Sequence, residues 1–261
     1  MISALDGPII AVMTLVMLIA GTTNGLAGFG FALVGTMALA TVIDPATAVV
    51  FMIIPILAVN LSLVRELSQE ELRSCSRRFG PLITAALVGT VVGMAVLNTI
   101  PTAPLRVGLG LLTLGFVATA QRRIPLPAWS TGEIGTIAHT RVGMVGVGGI
   151  SGLLFGGTNV GVQIIAYLRS FELSHGLFVG VVALVFLGLN GVRVGVAGLL
   201  GLYPSRELLV VSIAAAVPAA IGVAIGKRLR VTATERSRRL VVLGLLTAVG
   251  LRLVSGGLGL I

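Results

Sequence analysis

Only nine of the 261 residues are acidic, one is cysteine, one is tryptophan and two are tyrosine. Each scarcity closes off a class of protein. A soluble domain carries about 25% charged residues to keep its surface in water, whereas this chain carries 10%. The lone Cys75 excludes an intramolecular disulfide and any multi-cysteine metal site; set among arginines, it reads as an inert free thiol. No acidic residue falls inside an apolar run. Asp44, Glu172 and Glu207 stand at run edges, and Glu66, Glu70, Glu71, Glu133 and Glu235 stand in loops. The buried carboxylate relay common in proton-driven pumps is therefore missing. His139 and His175 are loop residues too. No Walker sequence, HExxH helix or buried carboxylate pair occurs, so ATP hydrolysis and intramembrane proteolysis lack their parts. The expectation is a non-enzyme without cofactor or metal. Met1–Pro8 carries Asp6 and no basic residue, so no cleavable signal peptide is expected.

What the chain has is apolar length. Hydrophobic residues make up 56% and mean hydropathy is +1.10. The 36 glycines would weaken soluble helices, but membrane helices use them for close backbone approach. Six runs have membrane-spanning length, about twenty residues: 46–64, 79–100, 105–120, 177–200, 208–225 and 240–258. Eighteen Lys and Arg give a net charge of +9. They concentrate in 65–78, 121–141 and 227–239, without interleaved aromatics, which argues against nucleic acid and for orientation signals beside lipid headgroups. A multi-pass protein of the cell membrane is expected, with the bilayer as partner and self-association into a homo-oligomer left open.

Two stretches fit no simple span. Residues 8–43 are long for one crossing and short for two, and 143–168 has the same difficulty. Each contains a Gly-rich polar segment, GTTNGLAGFG at 21–30 and GGISGLLFGGTN at 148–159. Broken backbone at membrane depth is tolerated only where protein buries it or it lines a cavity, so each stretch is read as two short helices meeting at a break. The stretches also echo one another. GLAGFG at 25–30 aligns on GLLFGG at 152–157, Asp44 then falls near Glu172, Ser62 near Asn190 and Arg65 near Arg193, and GLLT at 110–113 recurs at 244–247. The expected organisation is a repeat over 1–121, a basic linker over 122–141 and a second repeat over 142–261. Placing all three basic segments in the cytoplasm requires 143–168 to enter and return as a hairpin. The fold class is then an all-α integral membrane protein of two inverted repeats, each a re-entrant broken hairpin followed by three transmembrane helices, an arrangement used by secondary transporters.

The breaks are the expected site. Short helices starting near Gly30–Phe31 and Thr158–Asn159 would direct unpaired N–H groups and positive dipole ends at a small anion. Gly28, Gly30, Gly156 and Gly157 would let backbone approach it, with Thr158 and Asn159 capping. Packing between helices is the competing reason for these glycines. Asn24, Asn60, Gln163, Asn190 and Arg193 are polar groups in or near apolar runs, where such groups face a cavity or the bundle interior. Snorkelling competes with ligand contact for Arg193.

Gly152–Arg193 resembles the second repeat of the sulfite exporter TauE/SafE family, which commonly reads G-x-x-G-x-G-G-P-P, an apolar run ending near Tyr-Leu, and a later Asn-x-x-Arg. Gly156, Gly157, Tyr167, Leu168, Asn190 and Arg193 stand at those places. GLAGFGFALVGTMAL at 25–39 is similar to the family's first Gly-rich repeat. Two departures lie at the expected site: Thr158-Asn159 replaces the proline pair, and Phe29, Phe31 and Ala32 thin the first Gly cluster. The resemblance implies a permease for sulfite, a sulfonate or a related small anion, working by alternating access. A channel for anions and a carrier of small organic carboxylates are the alternatives.

Overall fold

The computed structural model describes residues 7–27, 30–64, 78–97, 99–120, 140–169, 171, 175–232 and 234–260. Among these residues all regular structure is helical. The helices are α1 (Gly7–Ala27), α2 (Phe31–Ala40), α3 (Pro45–Phe51), α4 (Ile53–Val64), α5 (Gly80–Leu97), α6 (Thr102–Ala120), α7 (Arg141–Thr158), α8 (Val162–Arg169), α9 (His175–Leu199), α10 (Arg206–Ala214), α11 (Ala216–Thr232) and α12 (Glu235–Gly257). Four stretches are long and apolar enough to cross a membrane: Gly7–Leu26, Gly80–Leu97, Arg206–Thr232 and Arg236–Gly257. Mid-helix Val88, Leu111, Ile150, Val210 and Leu251 are each more than half exposed, a surface suited to hydrocarbon rather than water.

Local chemistry sets the helix ends. Asp44, Thr140, Ser205 and Thr234 each accept a backbone N–H three residues ahead, the usual way to satisfy an orphan donor at an N-terminus. Prolines set the interruptions. Pro55 has no N–H for the Phe51 carbonyl four residues earlier, and the chain turns at Met52 between α3 and α4. The Ser212 hydroxyl donates to that carbonyl at 2.6 Å. Pro218 stands in the same relation to Ala214, and α10 gives way to α11 at Ala215.

The described chain forms two compact units, one from 1–58, 100–124 and 201–261, the other from 59–99 and 125–200. In the first, α1 lies along α11 in parallel. Gly21 and Gly25 meet Gly222 and Gly226 so closely that a methyl group on any of the four would strike backbone of the facing helix. Helices α6 and α12 pair antiparallel, Gly110 facing Gly250 and Val254 while Gly257 faces Ala103 and Val107. The second unit repeats the parallel seam with α5 and α7. There Gly148, Gly152 and Gly156 rest on Leu82, Ala86 and Thr90, and the Thr90 hydroxyl donates to the Gly152 carbonyl at 3.2 Å. Small residues spaced by four make such backbone-to-backbone contact possible.

These seams correct the expected breaks. Gly21–Ala27 continues α1, which is long enough to cross by itself, and 148–158 continues α7. The short helix expected to begin at Thr158–Asn159 begins instead at Val162.

Candidate substrate site

The second break is built by Asn159, Val160 and Gly161. Asn159 closes α7 in the left-handed region (φ 60°), and its N–H donates to the Phe155 carbonyl. Asparagine tolerates that conformation better than other side-chain-bearing residues. The Thr158 hydroxyl donates back to the Leu154 carbonyl and accepts the Val160 N–H at 3.1 Å. The N–H groups expected to greet a ligand at Thr158 and Asn159 are thus within α7 or at its cap. Those that start α8, from Gly161 to Gln163, take the position at the helix N-terminus.

Contacts run from this break into a buried charge. Gly161 sits against the ring of Phe186, and a side chain there would overlap it. Phe186 lies 5.2 Å, centroid to centroid, from Phe155. The Arg193 guanidinium carbon lies 4.9 Å from the Phe155 ring centre, and its Nη1 donates to Asn190 Oδ1 at 3.2 Å. Asn190 Nδ2 donates in turn to the Phe186 carbonyl at 2.8 Å, which fixes which face of its amide meets the arginine. Both Asn190 and Arg193 are 0% exposed. Snorkelling is therefore not what Arg193 does here: its charge is inside, held by an amide oxygen and a ring face. Such a placement is costly unless it has a task.

The other expected residues divide. Asn159 is buried; Gln163 is half-buried with its Oε1 enclosed and without a hydrogen-bond partner among the described residues. Gly156 serves the α5–α7 seam, whereas a methyl group on Gly157 would make only ordinary contact, 3.5 Å from the Gly93 carbonyl. At the first break Gly30 caps α2 with φ 101°, as the expected start near Gly30–Phe31 requires. The Asn24 side chain accepts the Phe31 N–H at 3.4 Å, so its amide oxygen bridges the break from within. Gly28 lies outside the described residues, and Asn60 is half-buried on α4. First-break and second-break residues fall in different units, so the cluster brought together is Phe155, Gly161, Phe186, Asn190 and Arg193, with Asn159 at its edge. Sequence reasoning missed Phe155, Phe186 and Gly161; two aromatics in apolar runs look like core, and Gly161 stands just past the motif.

Apolar helices bearing lipid-suited surfaces define a multi-pass membrane protein, with Arg193 buried among them. The sulfite exporter TauE/SafE family matches residues 13–253, nearly the whole chain. The chain belongs to this family, which assigns it to membrane transport of sulfite and related organosulfur anions. No curated protein and no solved structure matches it.

Proposed function

We propose that the chain is a cell-membrane permease that carries a small oxyanion, sulfite or a sulfonate, by alternating access, and that it performs no catalysis. The observation carrying this reading is the buried Arg193, oriented by Asn190 and Phe155 beside the second break. In a low-dielectric interior a guanidinium attracts an oxyanion far more strongly than in water and matches its geometry with two parallel N–H groups. N–H groups opening α8, with Asn159 and Gln163, would complete the cradle, and Asn24, Gly28 and Gly30 would serve its counterpart at the first break. Complete burial of Arg193 favours a carrier caught closed over a channel with a continuous water path.

The internal sequence echo and the basic character of 65–78, 121–141 and 227–239 support the inverted repeat over 1–121 and 142–261: with all three segments cytoplasmic, the two repeats have opposite orientations. Within the first unit α11 runs parallel to α1 and α12 antiparallel to α6.

Flux into proteoliposomes tests the reading, using sulfite, sulfate, thiosulfate, a sulfonate and a carboxylate. Saturable sulfite or sulfonate flux at carrier rates supports it; transport of the carboxylate alone, or single-channel currents, would replace it.

A further inference from the structure

Unit one holds a pocket of about 140 Å³ lined by Ala40, Thr41, Arg106, Arg252, Leu253 and Gly256. We propose that this pocket is an oxyanion site in its own right, in which Arg106 of α6 and Arg252 of α12 hold one tetrahedral or trigonal anion between them. The volume is comparable to a cavity that accepts benzene, roughly 150 Å³, and suffices for a sulfate, a sulfite or a phosphate headgroup. Among the described residues no carboxylate lines it. Arg106 Nε is enclosed and has no hydrogen-bond partner among the described residues. Asp44, three residues beyond Thr41, is committed elsewhere: Oδ1 accepts the Thr102 hydroxyl and Oδ2 the Thr47 N–H.

The C-terminus of α2, at Ala40 and Thr41, accounts for part of this charge. A helix end carries only about half a negative charge, whereas two guanidinium groups bring two positive ones into one pocket. Arg106 is half-buried and Arg252 exposed, and an anion seated between the two would offset the repulsion of their like charges. Their position gives a second reason. The start of α6 and the end of α12 lie at one end of this antiparallel pair, away from Arg236, Arg238 and Arg239 at the start of α12, so Arg106 and Arg252 are not part of that basic cluster. An oxyanion there has two sources, the phosphate of an anionic lipid or a soluble anion from the medium.

The experiment uses the full chain in nanodiscs. Thermal stability is read against sulfate at constant ionic strength, in zwitterionic lipid and in lipid containing phosphatidylglycerol. Wild type should gain stability saturably with sulfate in zwitterionic discs. Arg106→Gln and Arg252→Gln should each weaken that response about tenfold or more, Arg106→Lys should weaken it less, and Arg65→Gln should retain it. If the occupant is lipid phosphate, phosphatidylglycerol stabilises wild type, removes the sulfate response and stays bound to wild type but not to Arg106→Gln in native mass spectrometry. If it is a soluble anion, the sulfate response survives in both lipids. Wild type responding to neither sulfate nor phosphatidylglycerol, or responses equal in wild type and both glutamine variants, would overturn the site. Wild-type data alone can do so, even if a variant fails to fold.

Discussion

Arg193 Nη1 donates to Asn190 Oδ1 at 3.2 Å, one turn away on α9, and both side chains are shut off from the surface. Asn190 is itself anchored, through Nδ2, on the Phe186 carbonyl. The amide therefore aims the guanidinium instead of merely accompanying it. Asn190→Ala removes the aim and leaves the charge. Sulfite transport should fall about tenfold or more, the cost of one hydrogen bond to a charged group being roughly 1.5–3 kcal/mol. Asn190→Asp should fall further, since a carboxylate would neutralise the arginine and compete with the anion. Initial rates from well-folded protein check both.

Neighbouring glycines should behave differently. A methyl group on Gly156 would overlap the Thr90 carbonyl, while on Gly157 it would stand at ordinary contact distance from Gly93. Gly156→Ala is expected to cost about 1–3 kcal/mol by overpacking, and Gly157→Ala much less. Thermal unfolding in detergent reads the difference. Gly222→Ala in the α1–α11 seam should resemble Gly156→Ala.

Asp44 is expected to be structural. Its carboxylate caps α3 and accepts the Thr102 hydroxyl. Asparagine caps about as well as aspartate, so Asp44→Asn should transport nearly normally, whereas Asp44→Ala should lose about 0.5–2 kcal/mol of stability. Glu172→Gln should likewise retain transport. Loss of both flux and its pH dependence in folded Asp44→Asn would make that carboxylate a proton carrier.

The topology is open to labelling. In a Cys75→Ser background, cysteines at Ser76 and Ser237 should react with an impermeant maleimide from the cytoplasmic side. Reaction of the two from opposite sides would exclude the inverted repeat.

Much of this was readable in the chain. Run lengths located three of the four stretches long enough to cross, at 79–100, 208–225 and 240–258, whereas Gly7–Leu26 lay in a stretch read as broken and 46–64 divides at Met52; the start of α2 at Gly30–Phe31 followed from a glycine ahead of an apolar run. Arg193 and Asn190 stood out because polar groups are rare in apolar helices. The breaks were harder. Gly21, Gly25, Gly148, Gly152 and Gly156 were read as interruptions because they fall in Gly-rich polar segments of stretches that fit no simple span, yet their four-residue spacing makes them a seam on α1 or α7. The true interruption after α7 is marked by Asn159 and Gly161, beyond the glycine-dense motif. The wall formed by Phe155 and Phe186 depends on how α7 and α9 meet, and no local pattern carries that.

The most direct measurement is saturable sulfite uptake into proteoliposomes by wild type, Arg193→Gln, Arg193→Lys and Arg65→Gln, with thermal unfolding as the folding control. A buried guanidinium that binds the transported anion predicts that Arg193→Gln, folded, loses at least tenfold in apparent affinity, that Arg193→Lys retains part of it, and that Arg65→Gln resembles wild type. Unchanged sulfite affinity in folded Arg193→Gln would contradict the account.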